Sequence, residues 1–209
     1  ATIIEKEAFV KEFNGNDDVC LIIKAHFSGF VRRYKEDVVN RFREIIGRFN
    51  TGNPPTILFI GDKVHCSDMP RFYRAGDCFV LASRGEGLGL PYAESLACGI
   101  PVIATRWGGQ MEFLNEGNAY FVDYDLGVID DMEYIRKCMW ALNHSWAKPR
   151  LDSLMQQMRF VYTFRDLIKA KGEQGAKEMA EKTWQRVGLW IVNRVFELSD
   201  GKVKVEVGK

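Results

Sequence analysis

The chain predicts an α/β fold, a parallel sheet with helices on both faces that ends in a helical segment. Three observations carry this expectation. Short apolar runs recur as far as Val122, each bounded by glycine, proline, asparagine or aspartate. Between them lie stretches with helical spacing or helix-start signals. From residue 130 onwards the chain reads as helix only.

The elements follow in order. Ile3, Ile4, Ala8, Phe9, Val10 and Phe13 have helical spacing, and Asn14-Gly15-Asn16 stops that helix. The continuous run Val19 to Ile23 predicts a strand buried on both faces. Val38, Phe42, Ile45 and Phe49 share one stripe of a helix over 35–49, which Asn53-Pro54-Pro55 breaks. Thr56 to Ile60 is a second buried strand, ended by Gly61-Asp62. A short helix over 69–74 precedes a third strand over 77–82. Residues 90–98 read as a helix and 100–105 as a fourth strand. Gly108-Gly109 opens a helix running through Leu114, and Ala119 to Val122 is a fifth strand. Ala176, Met179, Trp184, Val187, Ile191 and Val195 form one long apolar stripe, so Trp184 and Trp190 are first read as core. Residues 199–209 alternate valine with charge and are left open between a small strand and a loose tail.

Bulk properties exclude several classes. A length of 209 residues suits one domain with a real core. A formal charge of +1 gives no global attraction to nucleic acid. No apolar run is long enough to span a bilayer, and the charged start Glu5-Lys6-Glu7 shows no signal peptide. The five cysteines have no Cys-x-x-Cys spacing and are read as buried free thiols of a cytoplasmic protein. His26, His65 and His144 are scattered, so neither a metal nor a catalytic histidine is expected.

One segment stands apart. Glu86 and Glu94 flank a Gly-x-Gly turn and the start of a helix, directly after a strand. Gly87 and Gly89 permit close backbone approach, and Pro91 suits a first helical turn. Amides at such a start favour an anion by roughly 0.3–2 kcal/mol. In a parallel sheet this loop lies at the carboxyl edge of the strands, where ligands bind. Lys24 to His26, Lys63 to Cys66 and Arg106 to Gly109 are expected at the same edge. Taken alone, Glu94 could equally complement the helix dipole. Arg84 could face negative charge on a ligand or pair with Asp77. Lys24 could reach a phosphate or remain a solvated strand end. Trp107 could border the pocket or pack. The basic cluster Arg32-Arg33-Tyr34-Lys35 reads first as a solvated helix lead-in, with an anionic membrane surface as the alternative.

The ordered set of motifs resembles the retaining nucleotide-sugar glycosyltransferases of the GT-B fold, of the glycogen-synthase-like and mannosyltransferase-like type. The family carries two glutamates separated by seven residues, matched by Glu86 and Glu94. Ser83-Arg84-Gly85-Glu86-Gly87-Leu88-Gly89-Leu90-Pro91 and Glu94-Ser95-Leu96-Ala97-Cys98-Gly99-Ile100-Pro101-Val102 follow its pattern. So do Gly108-Gly109-Gln110-Met111-Glu112 and, with Gly76 for an alanine, Tyr73-Arg74-Ala75-Gly76-Asp77. The likeness is strong over 56–123.

The resemblance implies a Rossmann-like donor-binding domain and a role for each residue. Glu94 takes the ribose hydroxyls and Glu86, the catalytic group, faces the donor sugar. Gly87, Leu88, Gly89 and Leu90 meet sugar and diphosphate. Val64 lies against the base, while Arg84 and Lys24 stand near donor charge. No metal or cofactor is implied, the nucleotide-diphosphate sugar being substrate. Family members place an acceptor-binding domain first and open the donor domain with a strand and a basic pair. No match for that strand or pair precedes Lys6, so the acceptor domain and first strand are expected to lie outside these residues. The organisation expected is a donor domain over 1–165, a helical segment over 166–198 that packs on it and towards the other domain, and a tail over 199–209. Alone, the chain is expected to bind nucleotide weakly and transfer no sugar. The acceptor, a glycan, lipid or small molecule, would be held elsewhere. The alternatives are a non-catalytic nucleotide- or sugar-binding module of this fold and another GT-B relative such as a nucleotide-sugar epimerase.

Overall fold

The computed structural model describes residues 3–24 and 52–199, with positions 40, 44, 47 and 48. Most of the helix expected over 35–49, the basic cluster at 32–35 and residues 200–209 lie outside the described residues. The elements are helix α1 (Ile3–Glu12), strands β1 (Cys20–Lys24) and β2 (Thr56–Ile60), helix α2 (Met69–Tyr73), strand β3 (Phe79–Leu81), helix α3 (Leu90–Ala97), and strands β4 (Val102–Thr105), β5 (Ala119–Val122) and β6 (Tyr124–Val128). Helix α4 (Met132–Lys137), strand β7 (Ser145–Pro149) and helices α5 (Leu151–Thr163), α6 (Arg165–Ala180) and α7 (Trp184–Leu198) complete the chain.

All five expected strands form, and they pair in parallel. They divide into a pair, β1–β2, and a three-stranded sheet in the order β3–β4–β5. The second sheet is the centre of the fold. Val102 to Thr105 and Ala119 to Val122 are buried throughout. One cluster, with Tyr92, Leu96, Phe113 and Leu114, fastens α3 to it. Another joins Phe9 of α1 and Phe13 just past its end to Leu154, Met158 and Val161 of α5, with Leu21, Ile57 and Val80 packed against them. That second cluster draws β1–β2 and β3–β4–β5 onto a common core.

Arg159 clamps the α1 end to α5, donating to the Glu12 carboxylate at 2.7 Å and to Asp17 at 3.0 Å. A buried carboxylate adds a tie that periodicity does not announce. Glu5 is 1% exposed and accepts the Ala82 amide at 2.7 Å, just past the end of β3. A buried acid is tolerated when its oxygens are hydrogen-bonded in this way.

Several expectations need correction. The β1–β2 pair is not buried on both faces, since Ile22 is exposed and Leu58 is 51% exposed. Gly108-Gly109 leads only into a 3₁₀ turn, Gly109–Glu112. The chain from residue 130 onwards is not helix alone: β7 pairs antiparallel with β6 in a ribbon that places Leu126 opposite Ala147. Ile129, Ile135 and Ala141 give that ribbon a small core of its own. The long carboxy-terminal stripe breaks after Ala180, and Thr183 caps α7 by accepting the Arg186 amide. Helix α6 packs on α3, with Gly172 and Gly175 buried. Helix α7 buries no residue, so Trp184 and Trp190, at 81% and 68% exposed, are not core. Cys20 and Cys66 are exposed rather than buried, and all five thiols are free. No described helix is long and apolar enough to cross a membrane.

Candidate donor site

The site is built on the turn from β3 to α3. Gly89 caps α3 with φ 77 and ψ 52, a left-handed conformation that only glycine adopts without strain. A side chain there would also press on the Tyr92 ring, 2.7 Å from an added Cβ. Tyr92 is fully buried and donates to Leu81 O at 2.7 Å, with Ser83 Oγ 3.3 Å away. One helical tyrosine thereby fixes the end of β3 against the first turn of α3.

The second support is Gly108-Gly109, past the end of β4. The Gly109 amide donates to Glu86 O at 2.9 Å. An added Cβ on Gly109 would lie 1.7 Å from Gly87 O, so the two loops meet backbone to backbone. Gln110, fully buried, secures the approach by donating to Thr105 O and Trp107 O. Among the described residues its Oε1 has no partner.

This packing leaves the loop's other side open. Among the described residues, the amides of Gly87, Leu88 and Gly89 donate to no protein acceptor. A Cβ on Gly87 would meet nothing within 4 Å. Leu88 and Leu90 are exposed, as is Trp107, whose ring lies 5.5 Å from that of Tyr124. Free amides beside an apolar rim suit a ligand with anionic and ring-shaped parts.

The two glutamates stand on either side of these amides in the chain. Glu86 is half-buried on the loop. Glu94 is exposed on α3, and the Tyr73 hydroxyl donates to its Oε2 at 2.8 Å. Burial, then the Glu94 contact, pushes the Tyr73 phenol well above the ordinary tyrosine range, so it remains a donor. The Tyr73 ring is itself held edge-on to Phe79. Tyr73 is thus an orienting residue that its place in a family motif did not reveal.

Sequence leaves Arg84 between a ligand's negative charge and Asp77, and the second of these is not found. It makes no ion pair with Asp77; its guanidinium carbon lies 4.4 Å from the Trp146 ring centre, over the ring of a β7 residue. Such a stack is worth about 0.5–1 kcal/mol at exposed sites. Arg84 O also accepts the Ala147 amide at 3.1 Å, which docks the ribbon onto the loop. Lys24 and Val64 sit elsewhere: Lys24 ends β1, and Val64, half-buried, follows β2. No described contact ties either to Glu86 or Glu94. Each lies at or past the carboxyl end of a strand in the β1–β2 pair, not in the sheet that leads into the Glu86 loop.

Comparison with known proteins places this geometry. Residues 26–142 match the family described as Glycosyl transferases group 1. Over 179 residues the chain is 26% identical to the sulfoquinovosyl transferase SQD2 of Arabidopsis thaliana, covering 81% of this chain and 32% of that protein. The chain therefore spans about a third of that relative's length. Among solved structures, a glycosyltransferase from Rickettsia africae ESF-5 superposes with a TM-score of 0.66 at 19% identity, covering 96% of this chain and 45% of that one. Anabaena Alr3699/HepE in complex with UDP does so with a TM-score of 0.60 at 17% identity, covering 91% and 44%. Parallel strands, the glycine-built turn and the family match over 26–142 lead to one conclusion: this chain belongs to the Glycosyl transferases group 1 family and carries the α/β fold of GT-B glycosyltransferases.

Proposed function

We propose that the chain is the donor-binding part of a retaining glycosyltransferase that moves a sugar from a nucleotide-diphosphate sugar to an acceptor hydroxyl. The observation that carries this reading is the segment from Glu86 to Glu94, where the amides of Gly87, Leu88 and Gly89 lack protein acceptors among the described residues and the Tyr73 hydroxyl holds Glu94. The bound UDP of the Anabaena neighbour is consistent with it.

In this reading Glu94 accepts the ribose hydroxyls, and the amides from Gly87 to Leu90 take the diphosphate. Val64 borders the base, and Lys24 and Arg84 add positive charge. Glu86 faces the sugar. The anomeric C–O bond breaks with its electron pair going to the phosphate oxygen. The acceptor hydroxyl attacks the same face, and its proton passes to the departing phosphate. Catalysis then rests on positioning and on stabilising charge that develops between sugar and diphosphate. Acceptor recognition is assigned to sequence outside these residues, and the bare apolar face of α7, with Trp184 and Trp190, is where that sequence would pack. The free thiols suit a cytoplasmic setting.

The test uses the full-length protein. Glu86→Ala is expected to cut transfer by about 100-fold or more while leaving nucleotide affinity within about threefold. Thermal shifts against UDP, GDP, ADP and their sugars identify the base. Unchanged turnover in Glu86→Ala would favour the non-catalytic binding module.

A further inference from the structure

We propose that Trp146, carried by the β6–β7 ribbon, is a positioning residue that presents Arg84 to the donor diphosphate. The inference rests on the donor-site reading above, and it assigns a function to a ribbon that sequence periodicity did not reveal.

Four observations converge on this pair. The Arg84 guanidinium lies over the Trp146 ring at 4.4 Å, and the adjacent residue, Ala147, donates its amide to Arg84 O. Side chain and backbone of Arg84 are therefore both set by β7. The Trp146 indole N–H is buried and finds no hydrogen-bond partner among the described residues. Its ring is placed for its faces and not for a polar contact. Tyr134 lies 5.7 Å from the Trp146 ring, and Ile129, Ile135 and Ala141 form the core behind it.

The charges around Arg84 point outward. Among the described residues no carboxylate lies within ion-pair distance of its guanidinium. Asp130 is near enough to feel its charge, but Lys148 holds Asp130 at 2.6 Å. The Lys148 hydrogen bond, first among the causes, keeps the Asp130 carboxyl below the usual carboxylate range. Lys148 thus neutralises Asp130 and leaves the Arg84 charge without an ion-pair partner among the described residues. Arg84 itself is exposed and stands two positions before Glu86, on the loop whose amides are unfilled. A guanidinium fixed by a ring on one side keeps its N–H fork free for phosphate oxygens.

The experiment measures affinity of the full-length protein for a nucleoside diphosphate, chosen from UDP, GDP and ADP, and for the corresponding nucleoside. Arg84→Gln is expected to weaken the diphosphate by about tenfold and leave the nucleoside unchanged. Trp146→Ala is expected to weaken the diphosphate about three- to tenfold, and Trp146→Phe to restore it to within about twofold, because a phenyl ring still supports the stack. In the Arg84→Gln background, Trp146→Ala should add no further loss. A full additional loss there, or an Arg84→Gln variant with unchanged diphosphate affinity, overturns the assignment. Glu94→Ala separates the two readings. If it abolishes nucleotide binding while Arg84→Gln has no effect, the donor site stands and the role of Trp146 fails. If the unmodified protein binds none of the three nucleotides, both fail.

Discussion

The two parallel sheets look alike in sequence and differ in what covers them. Ile57, Leu58, Phe59 and Ile60 in β2 are as apolar as Val102 and Ile103 in β4 or Tyr120, Phe121 and Val122 in β5. Yet β4 and β5 are buried at every position, while β2 leaves Leu58 half open. The difference lies in the helices: α3 packs against β4, and α5 against β4 and β5. The candidate site grows from the covered sheet. Its two loops leave the ends of β3, half-buried along its length, and β4, buried throughout, so the site is anchored through β4 to the best-covered described strands.

The severest way to break that arrangement is Gly109→Ala. The new methyl would overlap the Gly87 carbonyl, and a backbone atom cannot move aside as a side-chain tip can. We expect about 3 kcal/mol or more of lost stability, or a displaced Glu86 loop with nucleotide affinity lost. Urea denaturation and calorimetric titration separate the two. Gly87→Ala, whose Cβ meets open space, is the matched control and should fold normally.

Next in size is Ile103→Ala. Ile103 is 1% exposed in the central strand, and truncating it should cost about 2–5 kcal/mol in urea denaturation. A value near zero would mean that the covered sheet is not the mechanical base of the site.

How much of this was legible follows from which signals are local. The strand positions, the start of α3 and the pairing of Glu86 with Glu94 were legible, because runs, caps and motifs are written within about ten neighbouring residues. The ribbon was not. Tyr124 to Val128 includes a glycine and an aspartate, and Ser145 to Pro149 ends in a proline. Tyr124, Leu126 and Val128 do alternate with Asp125 and Gly127, but over only five residues, and Ser145 to Pro149 offers no matching alternation to pair with it. Long-range pairs hold them, such as Arg150 on Asp125 at 2.6 Å and Lys148 on Asp130. The partner of Arg84 is hidden for the same reason, since Trp146 is distant in sequence and nothing near Arg84 announces it. Thr183 carried a capping signal, but the apolar stripe on both sides masked it. Leu58 shows the converse: an apolar run states that a strand is compatible with burial, not that anything covers it.

A subtler change probes the orientation of Glu94. Tyr73→Phe removes one hydroxyl and keeps the ring against Phe79. Losing that hydrogen bond should weaken nucleotide affinity by about 1 kcal/mol, about fivefold, with little change in fold. The pH dependence has a definite sign. Because the Tyr73 pKa is raised in the folded protein, its contribution is complete below the ordinary tyrosine pKa. It is lost only as pH rises through the raised value. The difference between Tyr73→Phe and the unmodified protein should therefore stay constant from neutral to mildly alkaline pH. A difference that vanishes near neutrality would show that Tyr73 does not act through its hydroxyl.

The smallest expected effect sharpens the comparison most. Leu58→Ala makes the same kind of truncation as Ile103→Ala, in the other sheet, at a side chain already 51% exposed. Only the covered part of the side chain contributes transfer free energy, and a half-open position leaves no enclosed cavity. The expected loss is within about 0.5–1 kcal/mol. Comparing the two truncations by urea denaturation with equal m-values isolates burial from residue type. If Leu58→Ala costs as much as Ile103→Ala, the exposed face of β2 is covered in the full-length protein. The contrast between the sheets would then belong to the described residues and not to the whole folded protein. If it costs little, β1–β2 is the half-open flank of the domain, and the Glu86 and Gly108-Gly109 loops owe their order to β3–β4–β5 alone.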